Sequence, residues 1–508
     1  MIRAITFTVC LLSCADLAHA KDLRGVFEDA VKNDPVIRQA DANRMAAREA
    51  KPQALSAILP QLNGTAGVTR DHSSGFQDFV AEVSNPNNPT APPVLVVVQE
   101  QQTLDTTTKT WALNLRSNLL SWTNWMNIKA ANAQVAQAEV NYQAAEQNLI
   151  LRVATAYFAV LSAYDNLVAN QASLEAIARQ LDQADKRFEV GLIAITDVQE
   201  AKAARDTAAA AVIAAKRSLA NAENQLEEIT GQKYDRLAKP GGDMPLKGPE
   251  PQDETRWVNT SLEQNLSLVA SRLGADIARD NVRAAMGGHM PTLDLVAGRS
   301  YNKSDSDQML EGMSFPNVDS KINDRQIGLQ FTLPIYSGGF TQSRVRQNEY
   351  LWIAAKEAVV QSSRATERQA HDAYLGVISG IARVQALRQA LESSQTALKA
   401  TEAGYEVGTR TAVDVLNARK TLVQAETDYS NARYDYIVSV LQLRLAAGTL
   451  DRAQLIEVNS YLTANAPMIP AAVTPENVLP TIPAPSSPDS APPPSAPPPS
   501  ATPQRGRG

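Results

Sequence analysis

Cysteine is all but missing. The two present, Cys10 and Cys14, fall within the first twenty residues. That segment reads as an export signal: Arg3, an apolar run from Ala4 to Leu12, then Ala18-His19-Ala20 as a small-residue cleavage site. A chain cut after Ala20 keeps neither a disulfide framework nor a thiolate metal site. Leu11-Leu12-Ser13-Cys14 faintly resembles a lipidation box, but lipidation at Cys14 would leave a very short apolar region. Aromatic residues make up 5% of 508 positions, too few for the several compact cores that this length would suggest. Beyond residue 20 no run of ~18 apolar residues occurs, so no helix is expected to span a bilayer. If this exported chain crosses a membrane, it does so with strands. Proline is missing from Asn124 to Phe188 and from Phe340 to Ala403.

Catalytic equipment is absent as well. The four histidines (His19, His72, His289 and His371) are scattered, and no nucleophile–base set or phosphate loop is found. His289-Met290 reads as incidental. No enzyme activity, metal or cofactor is expected. The net charge of −6 comes without a basic stripe interleaved with aromatics, so no nucleic-acid footprint exists.

What the chain does contain is a duplication. Phe188 to Gln199, FEVGLIAITDVQ, returns as Tyr405 to Asn417, YEVGTRTAVDVLN. Gly191 pairs with Gly408 and Asp197 with Asp414 at one offset (408 − 191 = 217), and Gly231 and Gly448 share it. Each copy reads as a glycine-containing tip between two long helices. Asp34-Pro35-Val36-Ile37 corresponds to Asn265-Leu266-Ser267-Leu268, and Pro60-Gln61-Leu62 to Pro291-Thr292-Leu293, at offset 231.

Four segments alternate with period two: Leu62 to Arg70, Trp111 to Asn118, Thr292 to Ser300 and Gln326 to Leu333. In the last, Ile327, Leu329, Phe331 and Leu333 alternate with Gly328, Gln330 and Thr332. About nine to eleven residues with one apolar and one polar face suit a barrel strand in a membrane; a half-buried soluble sheet shows a similar pattern. Four strands cannot close a barrel, so the membrane reading requires oligomers, and three copies supply an even total of twelve. Polar connections from Asp71 to about Lys109 and from Tyr301 to about Arg325 read as external loops. The proline-free stretches would form helices ~95–100 Å long, too long for a globule.

The returning arms carry heptads. Val415, Leu422, Tyr429, Tyr436 and Leu443 alternate with Ala418, Ala425, Ala432, Ser439 and Ala446. Val198, Arg205, Val212, Leu219 and Leu226 alternate with Ala201, Ala208, Ala215, Ala222 and Ile229. Large residues at one seam position and alanine at the other describe closely packed, left-handed coiled coils. The expected organisation is a signal segment 1–20, a first repeat 21–230, a connector 231–257, a second repeat 258–448, a further segment 449–466 and a Pro-rich disordered tail 467–508.

These residues resemble the TolC-type outer membrane efflux proteins over the mature chain to about Pro480. The pieces that carry the likeness are AGYEVGTRTAVDVL, RFEVGLIAITDVQ, LPIYSGG at Leu333 to Gly339, SNARYDY at Ser430 to Tyr436 and PENV at Pro475 to Val478. The resemblance implies an α+β homotrimer with a twelve-stranded transmembrane β-barrel, continuous with an α-helical coiled-coil barrel across the periplasm of a Gram-negative cell. It implies a passive, porin-like duct for multidrug efflux or type I secretion. A periplasmic adaptor protein and an inner-membrane efflux pump or ABC transporter would be its partners.

The resemblance also assigns residues at the tips. Asp414 would form a ring of three carboxylates at a constriction, while Asn417 stands where close relatives carry a second Asp. Polar links would hold the tip shut, with Tyr405 and Arg410 facing Asp197 and Thr196, and Glu402 facing Gln180. Gly191 and Gly408 would form the turns. Taken alone, Asp414 reads first as a solvated carboxylate at a helix start, and only the repeat and the resemblance raise the ring above that reading. Three carboxylates on one axis would raise one another's pKa values and attract cations. A non-transporting coiled-coil envelope scaffold or adhesin is the competing class; it predicts no conductance.

Overall fold

The computed structural model describes residues 20–83, 92–241, 244–310, 313–314 and 318–463. The expected signal segment, apart from Ala20, and the expected Pro-rich tail lie outside the described residues.

The same capping chemistry opens both halves. Asp22 caps α1 (Leu23–Asn33), and Asp34 then caps α2 (Pro35–Arg48), accepting from the Ile37 N–H with Pro35 in the first turn. In the second half Asp253 caps α6 (Glu254–Gln264) and Asn265 caps α7 (Leu266–Met286), accepting from the Leu268 N–H. The offsets agree, 253 − 22 = 231 and 265 − 34 = 231. Such side chains satisfy N–H groups that a helix start leaves unpaired. The sequence alone suggests one helical stretch from Asp22 to about Gln53. The chain instead breaks at Asp34 and again at Glu49, and α3 (Ala50–Ser56) carries Pro52 in its first turn, where no N–H is needed.

Two long hairpins follow these starts. β1 (Gln61–Val83) pairs antiparallel with β2 (Val94–Leu120), and β2 pairs antiparallel with β4 (Thr292–Leu310). β4 pairs with β6 (Val318–Thr332), giving the order β1–β2–β4–β6, and the short β5 (Met313–Ser314) also pairs with β4. The strands run far past the alternating segments, so most of the polar stretches read as loops are paired strand. Thr103, Thr106, Thr107, Thr108 and Thr110 explain this in β2. They are β-branched and favour extended backbone without making an apolar face.

Helices of near-equal length leave each hairpin: α4 (Trp122–Glu189, 68 residues) and α8 (Phe340–Glu406, 67 residues). Each is about 100 Å long. α5 (Ile195–Thr230) and α9 (Ala412–Ala446) return along them for 36 and 35 residues. The coiled-coil seams are buried, with Val198, Ala201, Val212, Ala215, Leu219, Ala222 and Leu226 in α5 and Val415, Ala425, Ala432, Tyr436 and Leu443 in α9. Nearer the sheet, α2 and α3 lie against α4, and α7 lies between α4 and α8. No described helix is long and apolar enough to cross a membrane.

The largest core sits where the returning arms end. Phe158 stacks on Tyr434 at 5.7 Å and meets Tyr157 edge-on at 5.5 Å. Around them lie Leu23, Val26, Leu161, Leu219, Leu237, Leu441 and Leu455. The Tyr157 hydroxyl donates to the Ala238 carbonyl at 2.5 Å, and the Tyr434 hydroxyl donates to Asp165 at 2.7 Å. Burial pushes both phenols well above their usual range. Arg152 reaches the buried Asp34 cap at 2.5 Å, tying α4 to the α1–α2 junction. A girdle closes the level: β3 (Lys239–Pro240) pairs with β7 (Leu462–Thr463), beside α10 (Arg452–Ser460).

Candidate functional site

The register sorts the sheet into two unlike faces. Leu62, Leu115, Ala297 and Ile327 form one cross-strand row. Leu295 stands opposite Leu329, and Leu293 opposite Phe331, on that same face. These side chains are open in one chain: Ile327 is 81% exposed, Leu329 66% and Phe331 63%. Trp111 stands opposite Tyr301 toward the far end, their rings stacked at 6.3 Å. At the helical end Trp122, Trp125, Tyr336 and Phe340 are exposed. An apolar band between two aromatic zones is the pattern of a barrel exterior in lipid.

The other face is polar and hydrogen-bonded. Asn63, Asn114, Gly298 and Gln326 share one of its rows. Asp294 is 1% exposed there and accepts from Arg116 at 2.8 Å and from the Asn118 amide at 2.9 Å. A buried carboxylate held by a guanidinium and an amide suits a water-lined wall. The outer edges of β1 and β6 have no strand partner among the described residues. Unpaired edges cannot face hydrocarbon, where every N–H and C=O needs a partner.

The far ends of the helices form two tips. At the first, Gly191 takes φ 75°, the Leu192 N–H donates to the Arg187 carbonyl, and Leu181, Ala184, Ile193, Val198 and Ala201 pack beneath. At the second, Gly408 takes φ 80° and the Thr409 N–H donates to the Gly404 carbonyl. Both turns close a helix with a left-handed residue, which glycine adopts without strain. Val190, Leu192 and Val407, 69%, 72% and 75% exposed, crown them.

Asp414 lies in the first turn of α9 in a reciprocal cap. It accepts from the Thr411 N–H and hydroxyl at 2.9 Å each, while its own N–H donates to the Thr411 hydroxyl oxygen at 3.3 Å. These bonds, first the backbone one, and the Arg410 charge hold its carboxyl below the ordinary range. Within one chain the local shift is therefore opposite to the rise expected from three converging carboxylates. Asn417 is exposed one turn on.

The expected tip links are not made inside a single chain. Arg410 folds against Gly404, where an added Cβ would lie 2.8 Å from its Cγ, and it makes no ion pair with Asp197 among the described residues. Thr196 is exposed. Tyr405 instead lies under the Arg187 guanidinium, 5.1 Å from ring centroid to Cζ. Glu402 accepts from Arg419 at 2.5 Å rather than from Gln180, whose Nε2 is buried with no partner among the described residues. Arg419 Nε is in the same position. Arg187 and Arg419 are thus tip residues that the sequence reading does not name. The repeat gives no hint of the first, because Arg187 corresponds to Gly404 (404 − 187 = 217).

Residues 26–232 and 257–449 match the protein family described as Outer membrane efflux protein. The chain is 37% identical over 475 residues to the Outer membrane protein TolC of Escherichia coli (strain K12), covering 93% of this chain and 90% of that one. It is 25% identical over 476 residues to the Proteases secretion protein PrtF of Dickeya chrysanthemi, covering 92% and 96%. Its fold is similar to the crystal structure of the outer membrane protein VceC from Vibrio cholerae. There the TM-score is 0.65 at 22% identity, over 84% of this chain and 96% of that one.

Proposed function

The chain belongs to the outer membrane efflux protein family, and from that footing we propose that three copies close one duct through the outer membrane and across the periplasm. The observation that carries this reading is the sheet: four long strands with sorted faces and two open edges. Joining β6 of one copy to β1 of the next satisfies both edges, puts the apolar rows on lipid and turns the Arg116–Asp294 face inward. The helices continue that wall below the membrane. The duct is a passive exit for tripartite efflux or type I secretion; its similarity to both TolC and a protease-secretion protein supports this shared role.

The tip is its gate. Asp414 from three chains forms the constriction, with Asn417 beside it in place of a second carboxylate. Arg410 of one chain reaches Thr196 and Asp197 across the wall, and Gln180 finds Glu402 there. Three features support this: Arg410 is exposed and unpaired with Asp197 in one chain, Gln180 Nε2 lacks an acceptor, and Glu402 holds one oxygen on Arg419. The exposed apolar crown at Val190, Leu192 and Val407 offers the docking surface for a periplasmic adaptor, which brings an inner-membrane transporter. Individually weak links, multiplied by three, suit a gate that modest binding energy opens.

The test is conductance. Purified protein in planar bilayers is expected to give discrete channels, and Arg410→Ser to raise the single-channel conductance by about twofold or more. Absence of any channel from the wild-type protein overturns the duct. Unchanged conductance in Arg410→Ser removes Arg410 from the gate.

A further inference from the structure

The lipid-facing side of the sheet carries two neighbouring rows of cations, and the register brings the members of each row together. Beyond the apolar rows, Arg299 stands directly opposite Arg325. Next come Trp111 and Tyr301, and then Lys109, Lys303 and Lys321 as neighbours across three strands. Arg299 also lies over the Trp111 ring at 5.8 Å. Like charges placed opposite one another across strands are destabilising, and here two successive charged rows flank one aromatic row.

The local counter-charge is incomplete. Lys303 pairs with Asp305 and Asp319, and Lys321 with Asp319. Arg299, Arg325 and Lys109 are exposed and have no acidic partner among the described residues. The level is that of a lipid headgroup. The helices mark the periplasmic side, so these rows lie at the outer margin of the band. From Tyr336 at the inner aromatic zone to Arg325 is 336 − 325 = 11 residues. β6 itself ends at Thr332, 332 − 325 = 7 residues from Arg325, which at about 3.4 Å per residue and a tilt of roughly 40° spans ~18 Å, and the non-strand residues 333–336 carry the chain on to the inner aromatic zone.

We propose that Arg299 and Arg325, with Lys109 and Lys321 beside them, bind the phosphate groups of an anionic glycolipid in the outer leaflet, one site per protomer. Guanidinium pairs suit the oxygens of a phosphate, and ammonium groups add charge at the surface. The lipid's sugar and acyl chains lie on Trp111, Tyr301 and the apolar rows below. The proposal rests on the duct reading, which fixes this face as the one toward lipid.

The test is lipid binding to the full-length trimer in non-ionic detergent, followed by native mass spectrometry. Diphosphorylated lipid A is expected to bind the wild-type protein, and the Arg299→Gln/Arg325→Gln double variant to bind about tenfold more weakly. Should the double variant fail to assemble, Arg325→Gln alone, on an exposed side chain, is expected to lose about threefold. Lipid A stripped of its phosphates is expected to bind no better to wild type than to the variants. Equal affinity of diphosphorylated lipid A for wild type and variants overturns the site. Displacement by millimolar inorganic phosphate overturns the lipid assignment in favour of a free-anion site. Channel formation by the wild-type protein tests the duct separately, so a conducting protein without this lipid preference loses only the inference.

Discussion

Gly448→Ala is expected to cost about 3 kcal/mol or more, whereas Gly231→Ala, at the matching position of the other repeat, costs about 1 kcal/mol. Both residues end a returning helix with positive φ, 71° at Gly448 and 67° at Gly231. Backbone strain is therefore common to the two, and the surroundings separate them. A Cβ on Gly448 would sit 2.2 Å from the Gln264 carbonyl oxygen and 3.0 Å from the Asn265 Cα, all backbone of the α6–α7 junction. At Gly231 the nearest atom is Asn33 Cβ at 3.5 Å, an ordinary contact. The α6–α7 junction cannot move freely, because Asn265 donates to the Ala446 carbonyl at 3.0 Å and Gln147 to the Gly448 carbonyl at 3.0 Å. Thermal loss of helical circular dichroism in the two purified variants checks the difference. Equal shifts would mean that α9 does not dock on that junction.

Asp414→Ala is expected to weaken block by trivalent cations entering from the periplasmic side by at least about tenfold, since it would remove all three carboxylates of the proposed ring at once. Block at full strength in the variant would place the constriction elsewhere. The pH dependence has a defined sign. The Thr411 N–H and hydroxyl, with Arg410, depress the Asp414 carboxyl in each chain. A group with a depressed folded pKa contributes its cap above the unfolded pKa and loses it as pH falls through the folded one. The cap in each chain is therefore expected to persist through the ordinary carboxylate range and to fade only in stronger acid. In the proposed ring, repulsion among three carboxylates works against this depression, and Thr411→Ala, which removes the hydroxyl half of the cap, is expected to move the loss of block to higher pH.

Much of this architecture is legible in the residues. The two offsets, 217 at the tips and 231 at the starts, mark the duplication, and the heptads of α5 and α9 match the buried seams. The alternation at Gln326 to Leu333 gives the orientation of β6. The strand lengths are not legible, because the threonine-rich continuation of β2 loses its apolar face while keeping its pairing. The helix break at Asp34 is hidden for a different reason. A capping Asp before Pro35 interrupts the backbone without interrupting the apolar spacing.

At the tips, the turns follow from glycine, whereas the contacts do not. Arg187 over Tyr405 and Arg419 on Glu402 join helices that no local pattern relates. Links between protomers depend on a second chain, so neither the sequence pattern nor a single chain contains their geometry. The open edges of β1 and β6 are the strongest structural argument for that second chain, and they become visible only once the strands are paired.

The central claim, that three chains share one wall, is tested most directly by electron-microscope images of detergent-solubilised particles. Threefold end views and side views ~140 Å long are expected, a barrel of ~40 Å on a helical tube of ~100 Å. Monomeric particles, or assemblies without threefold symmetry, would contradict it.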